Sequence, residues 1–318
     1  MVQIACIISS FIVTAIFGKF IIPILIKLKI GQNERDDGPR SHLRKQGTPT
    51  MGGVIIILSI IIFTLIAYIK SENIIYLIMA LSGVGCGIIG FVDDFKKIVL
   101  KNTKGLNPKL KMLGLLIISV LYTVYLSSYT ELGTNIIIPF INYELFLPVW
   151  VYIPFSIFVI LSTTNAVNLT DGIDGLAASV SAIIIMALSI IGLKLGNVEI
   201  SIFGSFAIGS CIGFLIYNFH KAKVIMGDTG SLLLGGIIAS MAIYLKIQLV
   251  IIIIAIIPVL ETFSVILQVM YFRKTGKRLF KMAPLHHHFE LTGWRENKVV
   301  GVFSLITLIA STIGIMAV

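Results

Sequence analysis

Residues 74–97 read IIYLIMALSGVGCGIIGFVDDFKK, and this stretch decides the fold. No residue from Ile74 to Val92 is charged, and about 20 apolar residues suffice to cross the hydrocarbon core of a membrane as a helix. Two adjacent aspartates follow, and two lysines come shortly after them. The stretch predicts a membrane-spanning helix that ends in an unusual group of charges.

The rest of the chain repeats this pattern. Of its 318 residues 57% are hydrophobic and 13% are charged, and its mean hydropathy of +1.01 lies far outside the range of soluble proteins. The first run lacks a basic start and a cleavage pattern, so we expect it to be retained as an anchor. We predict an all-α polytopic integral membrane protein with about ten transmembrane helices, near residues 2–28, 50–69, 74–92, 110–128, 148–166, 175–193, 198–217, 230–246, 248–272 and 298–317.

Basic residues are concentrated in a few stretches between these runs. Of the 25 lysines and arginines, all but Lys19, Lys70, Lys194 and Lys246 lie in residues 27–45, 96–111, 221–223 and 273–298. Cytoplasmic loops carry such an excess, so we predict that both termini are external. The same loops explain the net charge of +10, which therefore indicates no nucleic acid partner. Since no repeat or long linker divides the chain, we expect residues 1–318 to form one domain.

Asp93 and Asp94 stand at the end of the third run. An aspartate near the hydrocarbon core costs about 2.5 to 3.5 kcal/mol, so two of them need a cation, water or a function. Adjacent carboxylates repel unless a proton or a metal separates them, and the negative end of the helix dipole adds to the cost. A functional role is favoured over the alternative, a solvated helix end paired with Lys96 and Lys97.

A row of polar side chains follows the fifth run. Asn165, Asn168, Asp171 and Asp174 recur every three residues, so each would neighbour the next on a helix. The two Asp-Gly pairs instead favour a turn, with Asp174 as a possible helix cap. A simple turn explains one Asp-Gly pair but not four polar residues at regular spacing in a loop without lysine or arginine.

Two glycine-containing segments open the second and eighth runs. In residues 45–53, KQGTPTMGG, the glycines permit a close backbone approach and Lys45 offers a charge to a phosphate. In residues 226–231, MGDTGS, backbone N–H groups at a helix start could bind an anion, and Asp228 could hold the accompanying cation. The alternatives are an ordinary positively charged loop for the first segment and an ordinary helix cap for the second.

Three consecutive histidines, His286, His287 and His288, lie in the basic loop before the last run. On a helix they point about 100° apart, so they cannot converge on one metal ion. Hydrogen bonding to a phosphate or a sugar fits them better. A cluster of surface histidines remains the alternative.

Five segments together resemble a known enzyme superfamily. They are residues 47–53, Asp93-Asp94, 165–176, 226–231 and 284–290, and they cover almost the whole chain in order. The chain resembles the polyprenyl-phosphate N-acetylhexosamine-1-phosphate transferases. Within that superfamily the segments Gly-Thr-Pro-Thr-Met-Gly-Gly and Pro-Leu-His-His-His are similar to those of the phospho-N-acetylmuramoyl-pentapeptide transferase family, rather than to the siblings that act on UDP-GlcNAc.

The resemblance implies a reaction of peptidoglycan synthesis in the bacterial cytoplasmic (inner) membrane. In that reaction UDP-MurNAc-pentapeptide and undecaprenyl phosphate give lipid I and UMP with Mg²⁺ as cofactor. The resemblance also implies ten helices, a homodimer and an active site on the cytoplasmic side. The alternatives are a UDP-GlcNAc transferase and a transporter, although a transporter would place its carboxylates near the midplane.

The resemblance also assigns roles to individual residues. Asp93, Asp94 and Asp228 would be catalytic, and Asp228 and Asp94 would bind the metal. Fifteen residues would bind substrates: Lys45, Thr50, Lys97, Lys109, Asn165, Asn168, Asp171, Gly172, Asp174, Asn218, Ile225, Ser231, His286, His287 and His288. One departure from the family is Ile225, because an aromatic residue that could stack on uracil is usual at this position.

A lipid phosphate has a second pKa near 6, so much of it is already a dianion at neutral pH. The residues must then chiefly neutralise charge and align the two reactants. We expect direct attack of the lipid phosphate on the sugar-proximal phosphorus, with Asp93 as the candidate base. The rival is a route through a covalent aspartyl phosphate.

Overall fold

Ten long helices form the body of the protein, which confirms the predicted fold class. The computed structural model describes residues 1–28, 47–98, 105–141 and 143–318, and ten of the helices in these ranges are long and apolar enough to cross a membrane. They are α1 (Val2–Lys27), α2 (Gly53–Ser71), α3 (Ile75–Ile98), α4 (Pro108–Tyr129), α5 (Val149–Thr170), α6 (Leu176–Lys194), α7 (Val198–Asn218), α8 (Gly227–Tyr244), α10 (Ile256–Thr275) and α12 (Glu296–Met316). Two short helices, α9 (Ile251–Ile254) and α11 (Leu285–Leu291), precede α10 and α12.

The predicted ninth run, residues 248–272, is divided in two. Helix α9 ends at Ile254, and α10 begins at Ile256. The residue between them, Ala255, has a φ of −99° and a ψ of 33°, which are not α-helical. Pro258 accounts for the break, because it cannot donate a hydrogen bond to the carbonyl four residues earlier and its ring clashes with that carbonyl. The expectation of one continuous helix here was wrong.

A β-hairpin between α4 and α5 was not predicted. Strands β1 (Asn135–Ile138) and β2 (Tyr143–Phe146) pair antiparallel. The hairpin is attached to the ends of two other helices, since the Ile137 amide donates to the Lys246 carbonyl at 2.7 Å and the Phe140 amide to the Ala317 carbonyl at 2.8 Å. These contacts place the hairpin on the face opposite to the aspartate pair.

Helix α8 is the centre around which the other helices pack. All its residues from Thr229 to Ile243 are buried. Glycines on two neighbouring helices let their backbones touch its first turn: a Cβ on Gly53 would overlap Gly230, and a Cβ on Gly90 would overlap the Asp228 carbonyl. The starts of α2 and α8 and the last turns of α3 therefore meet on one face of the protein.

We predict that Gly53→Ala destabilises the fold. The added Cβ would overlap the backbone N and Cα of Gly230, which cannot rotate away as a side chain could. Overpacking of this kind costs about 1 to 3 kcal/mol. The control is Gly301→Ala on α12, where an added Cβ meets nothing within 4 Å. In detergent the first variant should melt at a lower temperature and the second should not, whereas equal melting temperatures would contradict the close approach.

Candidate active site

Three aspartates converge on this face. Carboxylate oxygens of Asp93, Asp94 and Asp228 lie within 4.8 Å of one another, although the residues come from the end of α3 and the first turn of α8. Asp93 and Asp94 are 3% and 4% exposed. Because buried carboxylates repel one another, this arrangement requires cations or hydrogen-bond donors around it.

Asp94 is bound to the first turn of α8. Its Oδ1 accepts the Asp228 amide at 3.2 Å, and its Oδ2 accepts the Thr229 amide at 2.9 Å and the Thr229 hydroxyl at 2.7 Å. Gly227 has a φ of +73°, and a Cβ there would lie 2.6 Å from Asp94 Oδ2, so glycine is required on both grounds. Asp94 thus caps α8 at the positive end of its dipole.

Two lysines supply cations to the other two aspartates. Lys97 Nζ contacts Asp93 Oδ2 and lies 3.1 Å from Asp228 Oδ2. Lys111, from the first turn of α4, lies 2.8 Å from Asp228 Oδ2 and 3.9 Å from Asp93 Oδ2. The Leu106 amide donates to Asp93 Oδ1 at 2.6 Å.

Polar residues at the end of α5 complete this centre. Asn168 Nδ2 donates to Asp228 Oδ1 at 2.8 Å and to Ser231 Oγ at 2.9 Å. Burial raises the pKa of the Asp171 carboxyl well above its usual range, and the negative charges of Asp228 and Asp94 raise it further. Asp171 therefore adds a fourth acidic group to a centre that is contacted by two lysines.

The carboxylate oxygens of this centre are suitable ligands for a divalent cation. Three carboxylates offer oxygen ligands within reach of one another, and oxygen is the ligand that Mg²⁺ prefers. The three carboxylates outnumber the two ammonium groups that contact them within the described ranges. This excess of negative charge favours a cation over an anion at the centre itself.

Two of the predicted glycine-containing segments pair with each other. The Ile225 amide donates to the Pro49 carbonyl at 2.8 Å, and the Gly52 amide donates to the Ile225 carbonyl at 2.9 Å. Thr50 is buried, with its hydroxyl beside Gly227. Thr50 therefore reaches the aspartate centre, while the backbone of Ile225 joins the two segments.

Asp174 and Asn218 lie beside a second group of ionisable residues. Asn218 Oδ1 accepts the Gly175 amide at 3.1 Å, and Asp174 Oδ2 accepts the Ala222 amide at 3.0 Å. His220 Nδ1 lies 3.6 Å from Asp174 Oδ2 and 3.8 Å from Glu296 Oε2. The loop after α5 is thereby tied to the loop after α7.

The three histidines have different partners, although the ring centroids of His286 and His287 lie 4.1 Å apart. His286 Nδ1 lies 3.2 Å from Glu261 Oε1, and His287 Nδ1 lies 2.9 Å from Glu290 Oε2. The third, His288, accepts a backbone amide at 3.2 Å through its Nδ1. His286 packs directly on Gly172, where a Cβ would overlap its Nε2.

Lys109 and Asn165 lie in surroundings other than the aspartate centre, and Lys45 lies outside the described residues. Lys109 is exposed at the start of α4, and the amide of Asn165 donates to the Leu161 carbonyl of its own helix at 2.7 Å. Their roles as substrate ligands remain predictions.

Three contacting residues had not been singled out from the sequence: Lys111, Glu261 and Glu296. Glu261 carried a readable signal, since it is a carboxylate inside an apolar run. The sequence signal for Lys111 was weaker. Residues two apart on a helix do not share a face, so only one of Lys109 and Lys111 could point towards the protein interior, and the sequence does not say which.

Comparisons with known proteins identify the family of this chain. The family model for glycosyl transferase family 4 matches residues 75–246, and signature 1 of phospho-N-acetylmuramoyl-pentapeptide-transferase matches residues 45–57. The phospho-N-acetylmuramoyl-pentapeptide-transferase of Clostridium botulinum (strain Eklund 17B / Type B) is 49% identical over 98% of this chain and 95% of its own length. Those of Clostridium perfringens (strain 13 / Type A) and Caldanaerobacter subterraneus subsp. tengcongensis are 50% and 47% identical, each over 95% of this chain and 94% of its own length.

The ten helices, the acidic centre and the family model define a multi-pass membrane glycosyl transferase. The full-length relatives and the signature narrow this class further. The chain belongs to the phospho-N-acetylmuramoyl-pentapeptide-transferase family, as its resemblance to that family implies.

We predict that Lys111 matters for transferase activity more than Lys109. Lys111→Ala removes an ammonium group 2.8 Å from Asp228, whereas Lys109→Ala changes an exposed side chain on the same helical turn. Loss of one preorganised electrostatic contact costs about 10²-fold in turnover, so we expect that loss for Lys111→Ala and a change of less than about threefold for Lys109→Ala. A larger loss of turnover for Lys109→Ala than for Lys111→Ala would show that Lys109, and not Lys111, provides the electrostatic contact.

Proposed function

We propose that this protein transfers phospho-MurNAc-pentapeptide from UDP-MurNAc-pentapeptide to undecaprenyl phosphate, giving lipid I and UMP in peptidoglycan synthesis. The observation that carries the proposal is the convergence of Asp93, Asp94 and Asp228 with two lysines at the ends of membrane helices. Two anionic phosphates could meet at such a place only where positive charge is available. The names of the relatives support the identity of the donor.

In the proposed reaction an oxygen of the lipid phosphate attacks the phosphorus next to the sugar. The bond from that phosphorus to the UMP oxygen breaks, and UMP leaves with the electron pair. Since the acceptor is largely dianionic at neutral pH, Asp93 would have to act as a base only for the remaining monoanion. Lys97 and Lys111 are close enough to Asp228 to turn from its carboxylate towards phosphate oxygens, because a lysine side chain is long and flexible.

We propose Mg²⁺ as the cofactor, held by Asp228 and Asp94. When bound, it would neutralise phosphate charge as a Lewis acid. The residues around it keep the ligands in place: Asn168 fixes one oxygen of Asp228, and the first turn of α8 fixes Asp94. Hydrogen bonds within the protein therefore determine where the carboxylates of Asp228 and Asp94 lie.

We also propose that the site faces the cytoplasm and that both termini are external, in the bacterial cytoplasmic membrane. The excess of lysine and arginine in the loops on the site's face supports this orientation. Formation of a homodimer is a further expectation that follows from the resemblance.

The donor can be tested by measuring release of UMP. We expect turnover of UDP-MurNAc-pentapeptide with undecaprenyl phosphate and Mg²⁺, and none after removal of the metal with a chelator. UDP-GlcNAc serves as the competing donor. Turnover with UDP-GlcNAc alone would assign the protein to a sibling activity instead.

Asp228→Asn should lower turnover by on the order of 10³ or more, because it removes a carboxylate that two lysines, an amide and the proposed metal share. The matched control is Glu199→Gln at the start of α7, on the opposite face. We expect it to retain full activity. An unchanged dependence of the residual rate on Mg²⁺ in Asp228→Asn would argue against its role as a metal ligand.

A further inference from the structure

Glu261 on α10 and His286 on α11 form a buried acid–base contact. Both residues are 0% exposed, and His286 Nδ1 lies 3.2 Å from Glu261 Oε1. The backbone amide of His286 donates to the same oxygen at 3.2 Å. A carboxylate inside a membrane helix is costly unless it is paired and hydrogen-bonded, and this contact ties the start of α11 to the second turn of α10.

The other side of the imidazole ring rests on the loop between α5 and α6. A Cβ on Gly172 would overlap His286 Nε2, so the ring occupies the space that any other residue at position 172 would need. Gly172 lies between Asp171 and Asp174 in sequence. The ring is therefore held between a carboxylate on one side and the backbone of an acidic loop on the other.

Packing alone does not account for this pair. Glu261 Oε2 and both ring nitrogens of His286 are buried and have no hydrogen-bond partner among the described residues, so the 3.2 Å approach of Nδ1 to Glu261 Oε1 is a close contact without hydrogen-bond geometry. Apolar residues of similar volume would fill the same space at less cost, since a buried charged pair is often no more stable than its apolar replacement. The polar atoms of Glu261 and His286 therefore indicate that the orientation of the imidazole ring has a role beyond filling space.

We propose that Glu261 is a positioning residue. Its Oε1 accepts the backbone amide of His286 and lies against Nδ1, so that Nε2 faces Gly172 and the loop of residues 171–175 is held in the position that binds the UDP-linked donor. The two nitrogens lie on opposite sides of the ring, so a contact that fixes one of them also fixes the direction of the other. The donor part of this inference rests on the proposed function.

The contact itself can be tested without any substrate. Glu261→Gln removes the charge that holds the ring, and Gly172→Ala pushes the ring from the loop. Because both changes displace the same imidazole, the loss of thermal stability in the double variant should be smaller than the sum of the two single losses. Changes at independent sites would add, and additive losses would overturn the proposal. Glu261→Gln combined with Gly301→Ala is the control pair, for which simple addition is expected.

The kinetic test uses the full-length protein with UDP-MurNAc-pentapeptide and undecaprenyl phosphate. We expect Glu261→Gln to raise the KM for the donor by about tenfold while kcat changes by less than about threefold, because the altered contact lies at Gly172 and the contacts of Asp228 with Lys97 and Lys111 are unchanged. Glu199→Gln is the matched control and should alter neither constant. A donor KM within twofold of the unaltered protein would overturn the proposal.

The two proposals fail in different ways. Absence of turnover by the unaltered protein would remove the proposed function, and the stability measurements would still decide whether Glu261 sets the ring against Gly172. Normal turnover with an unchanged donor KM in Glu261→Gln would leave the proposed function standing and remove the positioning role.

Discussion

The contact between the Asp94 carboxylate and the first turn of α8 determines where the other charged groups on this face can lie. The amides of Asp228 and Thr229 point at Asp94 from the positive end of the helix dipole. They offset the cost of burying a carboxylate beside the membrane. Because α8 is buried along almost its whole length, its first turn cannot move away, and Asp228 is held beside Asp93.

The lysines of the centre do not argue against a metal ion. Lys97 and Lys111 both contact Oδ2 of Asp228, while Asn168 donates to Oδ1. An amide on a rigid helix fixes the direction of the carboxylate, whereas a lysine on a flexible stem can move to a new anion without any change in the backbone. The centre thus combines a fixed set of carboxylates with movable positive charges, which suits a site where phosphates enter and leave.

Much of this arrangement could be predicted from the sequence because membranes constrain sequences strongly. Apolar runs of the right length located the ten helices, and the cost of charge near hydrocarbon drew attention to Asp93 and Asp94. The break at Ala255 depends on one proline in an otherwise apolar run, and the hairpin depends on contacts with α12 far along the chain, so neither has a strong local signal. The choice between Lys109 and Lys111 likewise depends on how α4 is rotated.

The loop after α5 shows why the site needs support from several helices. Residues 163–176, which form the end of α5 and the loop after it, contain no lysine or arginine. This segment therefore has no positive charge of its own with which to bind a phosphate. Its position comes from outside: Asn218 accepts the Gly175 amide, the Ala222 amide donates to Asp174, and His286 packs on Gly172. Groups from α7, the loop after it and α11 therefore fix the backbone of this segment. A loop that is held by its neighbours keeps its shape without cations of its own, and this holds Asp171, its first residue, beside the charges of Asp228 and Asp94.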